Sequence, residues 1–154
     1  MDISVRQAET ADYKAVINIM SQVQDMHVSW RPDVYKPNER MFSEETFEDI
    51  IKNGTFYVAE CDGVVAGILE INFRRMESPA HVTRDILHIH TIAVEENYRR
   101  KGIGRRLLDF AKEIKTEKGC DVIDLQVNSL NTAAYEAYKK YGFTEKSVNM
   151  ELIF

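Results

Sequence analysis

The chain has 154 residues, 44% of them hydrophobic and 29% charged, and its formal net charge is −5. This length predicts a single domain spanning residues 1–154 with a buried core, and the composition is that of a globular protein. The negative net charge argues against a nucleic-acid partner. No apolar run approaches the roughly 20 residues of a membrane helix, and the first residues show no secretory signal. We therefore expect a cytoplasmic protein without membrane contact.

Two cysteines, Cys61 and Cys120, lie next to predicted strands. Because a cytoplasmic protein keeps its thiols reduced, we interpret both as packing residues without a disulfide. A catalytic thiol is the alternative, but no histidine or basic cluster lies near either cysteine in the sequence.

The first third of the chain predicts one strand followed by two helices. Residues Ile3–Gln7 alternate as a strand does, and Thr10 is a candidate cap for a helix with apolar residues at helical spacing. From Met26 to Met41 this spacing is lost and prolines occur, which predicts a loop or a broken helix. Ser43 then precedes an acidic helix that ends at Asn53-Gly54.

The middle of the chain predicts three strands. Residues Thr55–Glu60 and Val64–Phe73 are largely apolar, and Asp62-Gly63 between them is a strong hairpin signal. The polar stretch Arg74–Arg84 predicts a loop, and the β-branched run from Ile86 to Val94 predicts the third strand.

The last third predicts two helices that alternate with strands. In chain order these are a helix from Ile103 to Lys118, a strand at Val122–Val127, a helix from Asn131 to Gly142, and strands at Phe143–Ser147 and Asn149–Phe154. The complete order is β-α-α-β-β-β-α-β-α-β-β, which predicts a mixed α/β fold with a sheet covered by helices.

A basic, glycine-spaced loop, Arg99-Arg100-Lys101-Gly102-Ile103-Gly104, joins a strand to a helix. The first turn of a helix has unpaired N–H groups and the positive end of the helix dipole, and glycines let a ligand approach the backbone closely. The loop therefore predicts a phosphate site, with an ordinary solvated helix start as the alternative. No Lys-Ser or Lys-Thr follows Gly104 as in a P-loop, and Leu107 replaces the third glycine of a dinucleotide-binding turn.

The sequence R-x-x-G-x-G at residues 99–104 resembles the signature [QR]-x-x-G-x-[GA] of the GCN5-related N-acetyltransferases, the GNAT family. A second family signature follows at Asn131-x-x-Ala134-x-x-x-Tyr138-x-x-x-Gly142-Phe143, and the element order is that of the family's acyl-CoA N-acyltransferase fold, with a twisted, mostly antiparallel sheet. The resemblance spans the whole chain and implies acetyl-CoA as cosubstrate and no metal. The residues that it places at CoA are Ile92, Ala93, Val94, Arg99, Arg100, Lys101, Gly102, Ile103, Gly104, Arg105, Asn131 and Ala134.

Acetylation of an amine is helped by a base, because an alkylammonium with a pKa near ~10.4 is almost fully protonated at neutral pH. His88 and His90 lie two residues apart on a predicted strand, hence on one face, and Ile92 and Val94 should continue that face. The pattern His-x-His-x-x-Ala-Val resembles that of arylalkylamine N-acetyltransferases, which implies that the pair passes the amine proton out through water. The alternatives are a structural role inside the sheet and a metal site, for which no third ligand is evident.

Three further groups complete the predicted chemistry. Glu70, on the neighbouring strand, is the competing base, and it could instead attract a cationic amine. The developing oxyanion is expected to meet backbone N–H groups near Ile92–Val94, where no side chain is polar. Tyr138 matches the family's general acid, and a phenol with a pKa near ~10 can protonate the departing thiolate. Its place on the apolar face of a helix also fits a packing role.

The resemblance also implies that the first helix and the following loop cover the amine. There His27, Trp30, Arg31 and Tyr35 are candidate substrate-binding residues, with Asp33 beside them. Aromatic rings and charges can hold an amine, and they can equally anchor a loop.

We therefore predict an acetyl-CoA-dependent N-acetyltransferase that transfers the acetyl group directly to a primary amine in a ternary complex, with a small molecule favoured over a protein as acceptor. One alternative is a CoA-binding sensor or regulatory module without turnover, and another is an acetyltransferase of protein N-termini or lysines. A nucleotide-binding module is a further alternative, which the incomplete motifs disfavour. A homodimer is an alternative to a monomer.

Overall fold

Five strands form one sheet in the order β1-β2-β3-β4-β5 in the computed structural model, which describes residues 1–154. The strands are β1 (Ile3–Gln7), β2 (Phe56–Cys61), β3 (Val64–Ser78), β4 (His81–Val94) and β5 (Val122–Leu125). The first four pair antiparallel, whereas β5 runs parallel to β4. The predicted mixed, mostly antiparallel sheet is confirmed.

Four helices cover the two faces of the sheet. They are α1 (Tyr13–Trp30), α2 (Glu44–Lys52), α3 (Ile103–Lys118) and α4 (Thr132–Tyr141). The helices α1 and α2 close one buried cluster, and α3 closes a second cluster on the opposite face, where side chains of α4 also pack. Both free cysteines belong to the second cluster or pack against it, as predicted. None of the four helices has the length and apolar character of a membrane span.

Gly67 on β3 lies directly beneath the first turns of α3. A Cβ atom at this position would lie 2.9 Å from Ile103 Cγ2 and 3.1 Å from Leu107 Cδ1. Both of these side chains are almost fully buried, so neither can move aside easily. The missing side chain therefore sets the distance between α3 and the sheet.

We expect Gly67→Ala to lower the free energy of unfolding by about 1–3 kcal/mol, because the added methyl group overpacks this contact. Urea unfolding measures the loss. Gly104→Ala is the matched control, because its Cβ would meet only Val94 Cγ2 at 3.8 Å. Alanine at this helical position should leave stability unchanged or raise it by up to ~1 kcal/mol. Equal stabilities for the two variants would contradict the packing argument.

A buried carboxylate, Asp12, joins the start of α1 to the edge of the sheet. Arg6 donates to both of its oxygens, at 2.8 and 3.0 Å, and the Glu9 N–H donates at 2.8 Å. Arg6 also donates to Glu60 at 2.7 Å. Burial opposes ionisation of Asp12, but the hydrogen bonds from Arg6 and Glu9 outweigh it and hold the pKa of the carboxyl below its usual value.

Because its folded-state pKa is lowered, Asp12 stabilises the fold above its unfolded-state pKa of about 3.9, and this stability is lost as pH falls through the folded-state value. We expect Asp12→Asn to cost roughly 2 kcal/mol at pH 7, the scale of a hydrogen bond to a charged group. The difference in the free energy of unfolding between this variant and the wild type should narrow as the pH falls. Asp49→Asn, at an exposed position, should show no such dependence. A difference that persists unchanged to pH 2 would contradict this role.

The structure corrects four predicted boundaries. The helix α1 continues to Trp30 through the start of the predicted loop, and a 3-10 turn at Thr10–Asp12 replaces a Thr10 cap. The predicted loop Arg74–Arg84 is instead the outer part of a long β3–β4 hairpin, where polar side chains pair across the strands, as Arg75 and Asp85 do at 2.9 Å. The strand β5 ends at Leu125 rather than at residue 127.

The predicted final strand pair is wrong. Residues 143–154, which we term the C-terminal segment, contain no strand, and no turn or bend interrupts them. A strand pair would need a reversal near Val148, and this stretch offers no Gly or Pro that would favour one.

Candidate active site

The loop between β4 and α3 presents a row of unpaired backbone donors. Arg100 (φ 61°) and Gly102 (φ 86°) both adopt the left-handed conformation, and α3 begins at Ile103. None of the N–H groups from Arg100 to Arg105 donates a hydrogen bond to a backbone acceptor, and Gly102 provides no side-chain cap. A Cβ added to Gly102 would meet no atom within 4 Å. The loop therefore has the free donors and the open space that an anion site at a helix N-terminus requires.

The basic side chains of this loop are not equivalent. Arg99 turns back to donate from Nε to the Val94 carbonyl at 3.2 Å and lies beside Met26 of α1. The Lys101 ammonium lies 5.0 Å from the centre of the Tyr98 ring. All four predicted basic cofactor residues Arg99, Arg100, Lys101 and Arg105 are exposed, but only Arg99 bonds to the strand before the loop and thereby supports the loop conformation.

The sheet opens next to this loop. Pairing between β4 and β5 ends at Ile89 and Leu125, but β4 continues to Val94. The edge of β4 from His90 to Val94 that faces away from β3 therefore pairs with no strand. This opening supplies free main-chain groups in the segment where Ile92, Ala93 and Val94 are predicted to meet the thioester.

A β-bulge at His90 changes the faces of β4. Glu70 of β3 pairs with Thr91, but the next residue of β3 pairs with Ile89, which leaves His90 as the extra residue. After the bulge, Ile92 and Val94 pack in the same cluster as α3, whereas Ala93 faces α1. The prediction that Ile92 and Val94 continue the histidine face is therefore wrong, because the bulge shifts the alternation by one residue.

His88 forms a close pair with a carboxylate that the sequence analysis missed. Its Nδ1 lies 2.7 Å from Oδ1 of Asp124, which lies opposite it on β5. His88 is only 7% exposed, whereas His90 is exposed, and the two rings are 6.5 Å apart. A carboxylate that accepts from Nδ1–H leaves the lone pair on Nε2, so Asp124 sets the tautomer of His88. In the sequence, this contact was indicated only by an acidic residue within the apolar run Val122–Leu125.

Glu70, the competing base, lies on the same side of the sheet. Thr91 donates to Glu70 Oε2 at 3.4 Å, a long hydrogen bond, and Glu70 is half-buried. The structure thus brings both histidines, Glu70 and Asp124 to neighbouring positions of the adjacent strands β3, β4 and β5. No group of three or more His, Cys, Asp or Glu side chains is arranged to hold a metal ion.

The helix α4 places Tyr138 against the core on the α3 side. Asn131 caps the helix by accepting from the Ala134 N–H at 3.2 Å, so that N–H is already paired. The Tyr138 ring packs against Phe143 with ring centres 5.7 Å apart, and burial raises the pKa of its phenol. A raised pKa keeps the hydroxyl protonated at neutral pH, as a proton donor must be.

Tyr141 fixes α4 to α3. Its hydroxyl donates to Asp109 at 2.7 Å, and burial together with this hydrogen bond raises the pKa of Tyr141 to about 12. This contact holds in place the helix that carries Tyr138.

The predicted acceptor residues cluster at the end of α1. The His27 ring stacks on Tyr35 at 4.8 Å and lies 5.7 Å from Trp30, and burial lowers the pKa of His27. Arg31 donates to Asp33 at 2.6 and 2.8 Å and also forms an ion pair with Glu151 of the C-terminal segment. The Arg31 charge is therefore already balanced within the chain.

The chain is similar in sequence to known proteins. The family model "Acetyltransferase (GNAT) family" matches residues 21–143. An N-alpha-acetyltransferase from Sulfurisphaera tokodaii is 38% identical over 99 residues, covering 60% of this chain and 58% of that protein. The L-amino acid N-acetyltransferase AaaT of Escherichia coli is 28% identical over 151 residues, covering 92% and 83%.

A solved structure shares the whole fold. A mutant of the BH1408 protein from Bacillus halodurans superposes with a TM-score of 0.90 at 24% identity, over 98% of this chain and 99% of that one. The chain spans about half the length of several curated relatives that it matches, 51% and 58% of two of them. Because the family model covers most of the chain, including the loop at residues 99–105 and α4, the chain belongs to the GNAT acetyltransferase family.

Proposed function

We propose that this protein is an acetyl-CoA-dependent N-acetyltransferase that acetylates a primary amine, preferably of a small molecule, by direct transfer in a ternary complex. The observation that carries the proposal is the adjacency of two sets of free main-chain groups. One is the row of N–H donors from Arg100 to Arg105. The other is the edge of β4 from His90 to Val94 that pairs with no strand, where the Val94 carbonyl alone accepts from Arg99.

These two sets fit the two ends of CoA. The N–H row and the exposed Arg100, Lys101 and Arg105 would hold the diphosphate, and the β4 edge would hold the pantetheine arm and the thioester oxygen. Acetyl-CoA would supply an activated acyl group with a thiolate as leaving group. Backbone donors at β4 are held in place by the sheet, so they need no reorganisation when negative charge develops on that oxygen.

The side chains would supply the proton transfers. An ammonium acceptor must first lose one proton to become a nucleophile. The nitrogen loses a second proton as it bonds to the acyl carbon, and the sulfur gains one as its bond to that carbon breaks, so one proton is released overall. His90 is exposed at the bulge and would take the ammonium proton through water, with His88 beside it. The Tyr138 hydroxyl would donate the proton that the sulfur gains, and the proton that the nitrogen loses on bonding would restore it.

The acceptor class is the open part of this function. One relative is an L-amino acid N-acetyltransferase and another is an N-alpha-acetyltransferase, so the family includes both small and protein acceptors. We favour a small amine because the C-terminal segment contacts both Asp124, through Lys146, and the end of α1, through Arg31. The segment thus borders the side of the sheet where the acceptor would bind.

A thiol-release assay with acetyl-CoA tests the proposal. The panel should contain amino acids, diamines and amino sugars as small acceptors, and peptides with a free N-terminus or an internal lysine as protein acceptors. We expect turnover with a member of the small class. Turnover with peptides alone would assign the protein-acetyltransferase alternative. CoA binding by calorimetry without any turnover would favour the sensor alternative.

Asp124 is expected to act as a positioning residue for His88. Asp124→Asn removes the negative charge and adds an NH₂ donor, so the side chain can bond either tautomer of His88 and no longer fixes one. Turnover below the pKa of the amine should therefore fall by roughly tenfold, less than the ~10² or more of a lost base. The pH–rate profile should shift, whereas CoA affinity should not. Asp121→Asn is the matched control on the same segment. A uniform loss at all pH values would indicate a structural effect only.

A further inference from the structure

The outer edge of β5 and the C-terminal segment beyond Phe143 each lack a backbone partner. β5 is the edge strand of the sheet and pairs only with β4. After Phe143, whose N–H bonds to the Tyr138 carbonyl, no residue of the C-terminal segment makes a backbone–backbone hydrogen bond. An extended chain beside an open edge is the arrangement that normally leads to strand addition.

The exposed side of the C-terminal segment is apolar. Five large hydrophobic side chains lie in solvent: Val148 (72% exposed), Met150 (92%), Leu152 (79%), Ile153 (66%) and Phe154 (fully exposed). Four of them alternate, as the residues on one face of a strand do, and Glu151 between them contacts Arg31 of its own chain. The apolar face is thus uncovered, and the opposite face is tied to the chain only at Glu151, because Ile153 on that face is exposed as well.

The segment cannot close on its own β5 without refolding. Its first part is anchored by the Phe143 ring on Tyr138, by Glu145 on Tyr135 at 2.7 Å, and by Lys146 near Asp124 at 3.9 Å. From there it runs without a turn or bend. A strand that pairs with the same β5 would require a chain reversal, which the structure does not contain.

We propose that residues 148–154 of each chain add as a strand to the free edge of β5 in a second copy, forming a homodimer by reciprocal exchange. Each copy has one open sheet edge and one unpaired strand. In two copies related by a twofold axis, each strand pairs with the open edge of the other copy, so no edge is left on which a filament could grow. The exchanged strand would lie next to Asp124, so each copy would contribute a wall to the site of the other.

The molar mass of the protein, measured by light scattering as it elutes from a size-exclusion column, tests the assembly. We expect twice the 17.8 kDa mass of one chain at micromolar concentration. Removal of residues 148–154 should give a monomer. Asn149→Pro and Met150→Pro are milder variants, because these N–H groups point to opposite edges of a strand and one of the two must pair with β5. Met150→Ser keeps the N–H and is the matched control. A monomeric wild type, or dimers that survive both truncation and the two prolines, would overturn the proposal.

Cysteine pairing tests which chain supplies the strand. Cys120 is first replaced by serine in every chain. Chains that carry Val122→Cys on β5 are then coexpressed with chains that have a different tag and carry one cysteine in the exchanged strand. The positions of that second cysteine are Val148→Cys, Met150→Cys or Leu152→Cys. At least one pair should form a disulfide between the two tags, and Val82→Cys, on the exposed β3–β4 hairpin, should not. Cross-links that form only when both cysteines share one chain would overturn the exchange. All these variants should retain CoA binding, so the result is independent of the acetyltransferase assay.

Discussion

Replacement of Gly102 by leucine should lower the affinity for CoA by roughly 10²-fold or more. Gly102 has φ 86° and lies in the middle of the row of free N–H groups. A side chain there would occupy the space through which a diphosphate reaches the backbone. The loss of two charge-assisted hydrogen bonds, at about 1.5 kcal/mol each, corresponds to a factor of this size. Calorimetry with CoA measures it directly.

Gly119→Leu is the matched control for this experiment. Gly119 ends α3 with φ 68°, and, as at Gly102, an added Cβ would meet no atom within 4 Å. Both variants should therefore lose a similar amount of folding free energy, about 1–2 kcal/mol, because each places a residue with a side chain in the left-handed backbone conformation. Only the Gly102 variant should lose CoA. Equal CoA affinities in the two variants would remove the loop from the binding site.

The parts of the site that were predictable are those encoded locally. Gly102 and Gly104 follow an apolar strand and precede a helical repeat, and this order alone predicts donors at a helix start. Asn131 three residues before Ala134 is likewise a local capping pattern, which the structure confirms. Local patterns of this kind depend on φ, ψ and nearest neighbours, so they can be read along the chain.

The parts that the residues alone could not show depend on pairing between distant strands. The opening beyond Ile89 depends on where β5 stops, and the bulge at His90 depends on the register with β3. Asp124 contacts His88 only because the two strands are neighbours in the sheet. The same holds for the polar outer part of the β3–β4 hairpin, whose stability comes from cross-strand pairs rather than from apolar alternation.

The C-terminal segment shows the opposite error. Its alternation from Val148 to Phe154 is that of a strand, from which we predicted a hairpin within the chain. A periodic apolar pattern predicts that one face of a strand will be buried, but it does not predict which element of the same chain or of another chain will bury it. The apolar face of this strand is not covered within the chain, and the second copy that we propose would cover it.

The proton donor and the base can be separated by one pair of variants and a pH series. Tyr138→Phe keeps the ring that packs on Phe143 and removes only the hydroxyl, so the fold should be retained while turnover falls by roughly 10²-fold. Because burial raises the pKa of Tyr138, the wild-type phenol stays protonated through the neutral range. The loss in Tyr138→Phe should therefore be the same from pH 6 to pH 9.

The double change His88→Gln with His90→Gln should behave differently. Its loss should be largest at low pH, where almost no free amine exists, and should shrink toward the pKa of the amine, because an amine that deprotonates unaided needs no base. The Gln at position 88 can still donate to Asp124, which preserves the strand contact. A wild-type profile in the histidine variant would make the pair structural and leave Glu70 or water as the base. Full activity in Tyr138→Phe would mean that packing is the whole role of this ring.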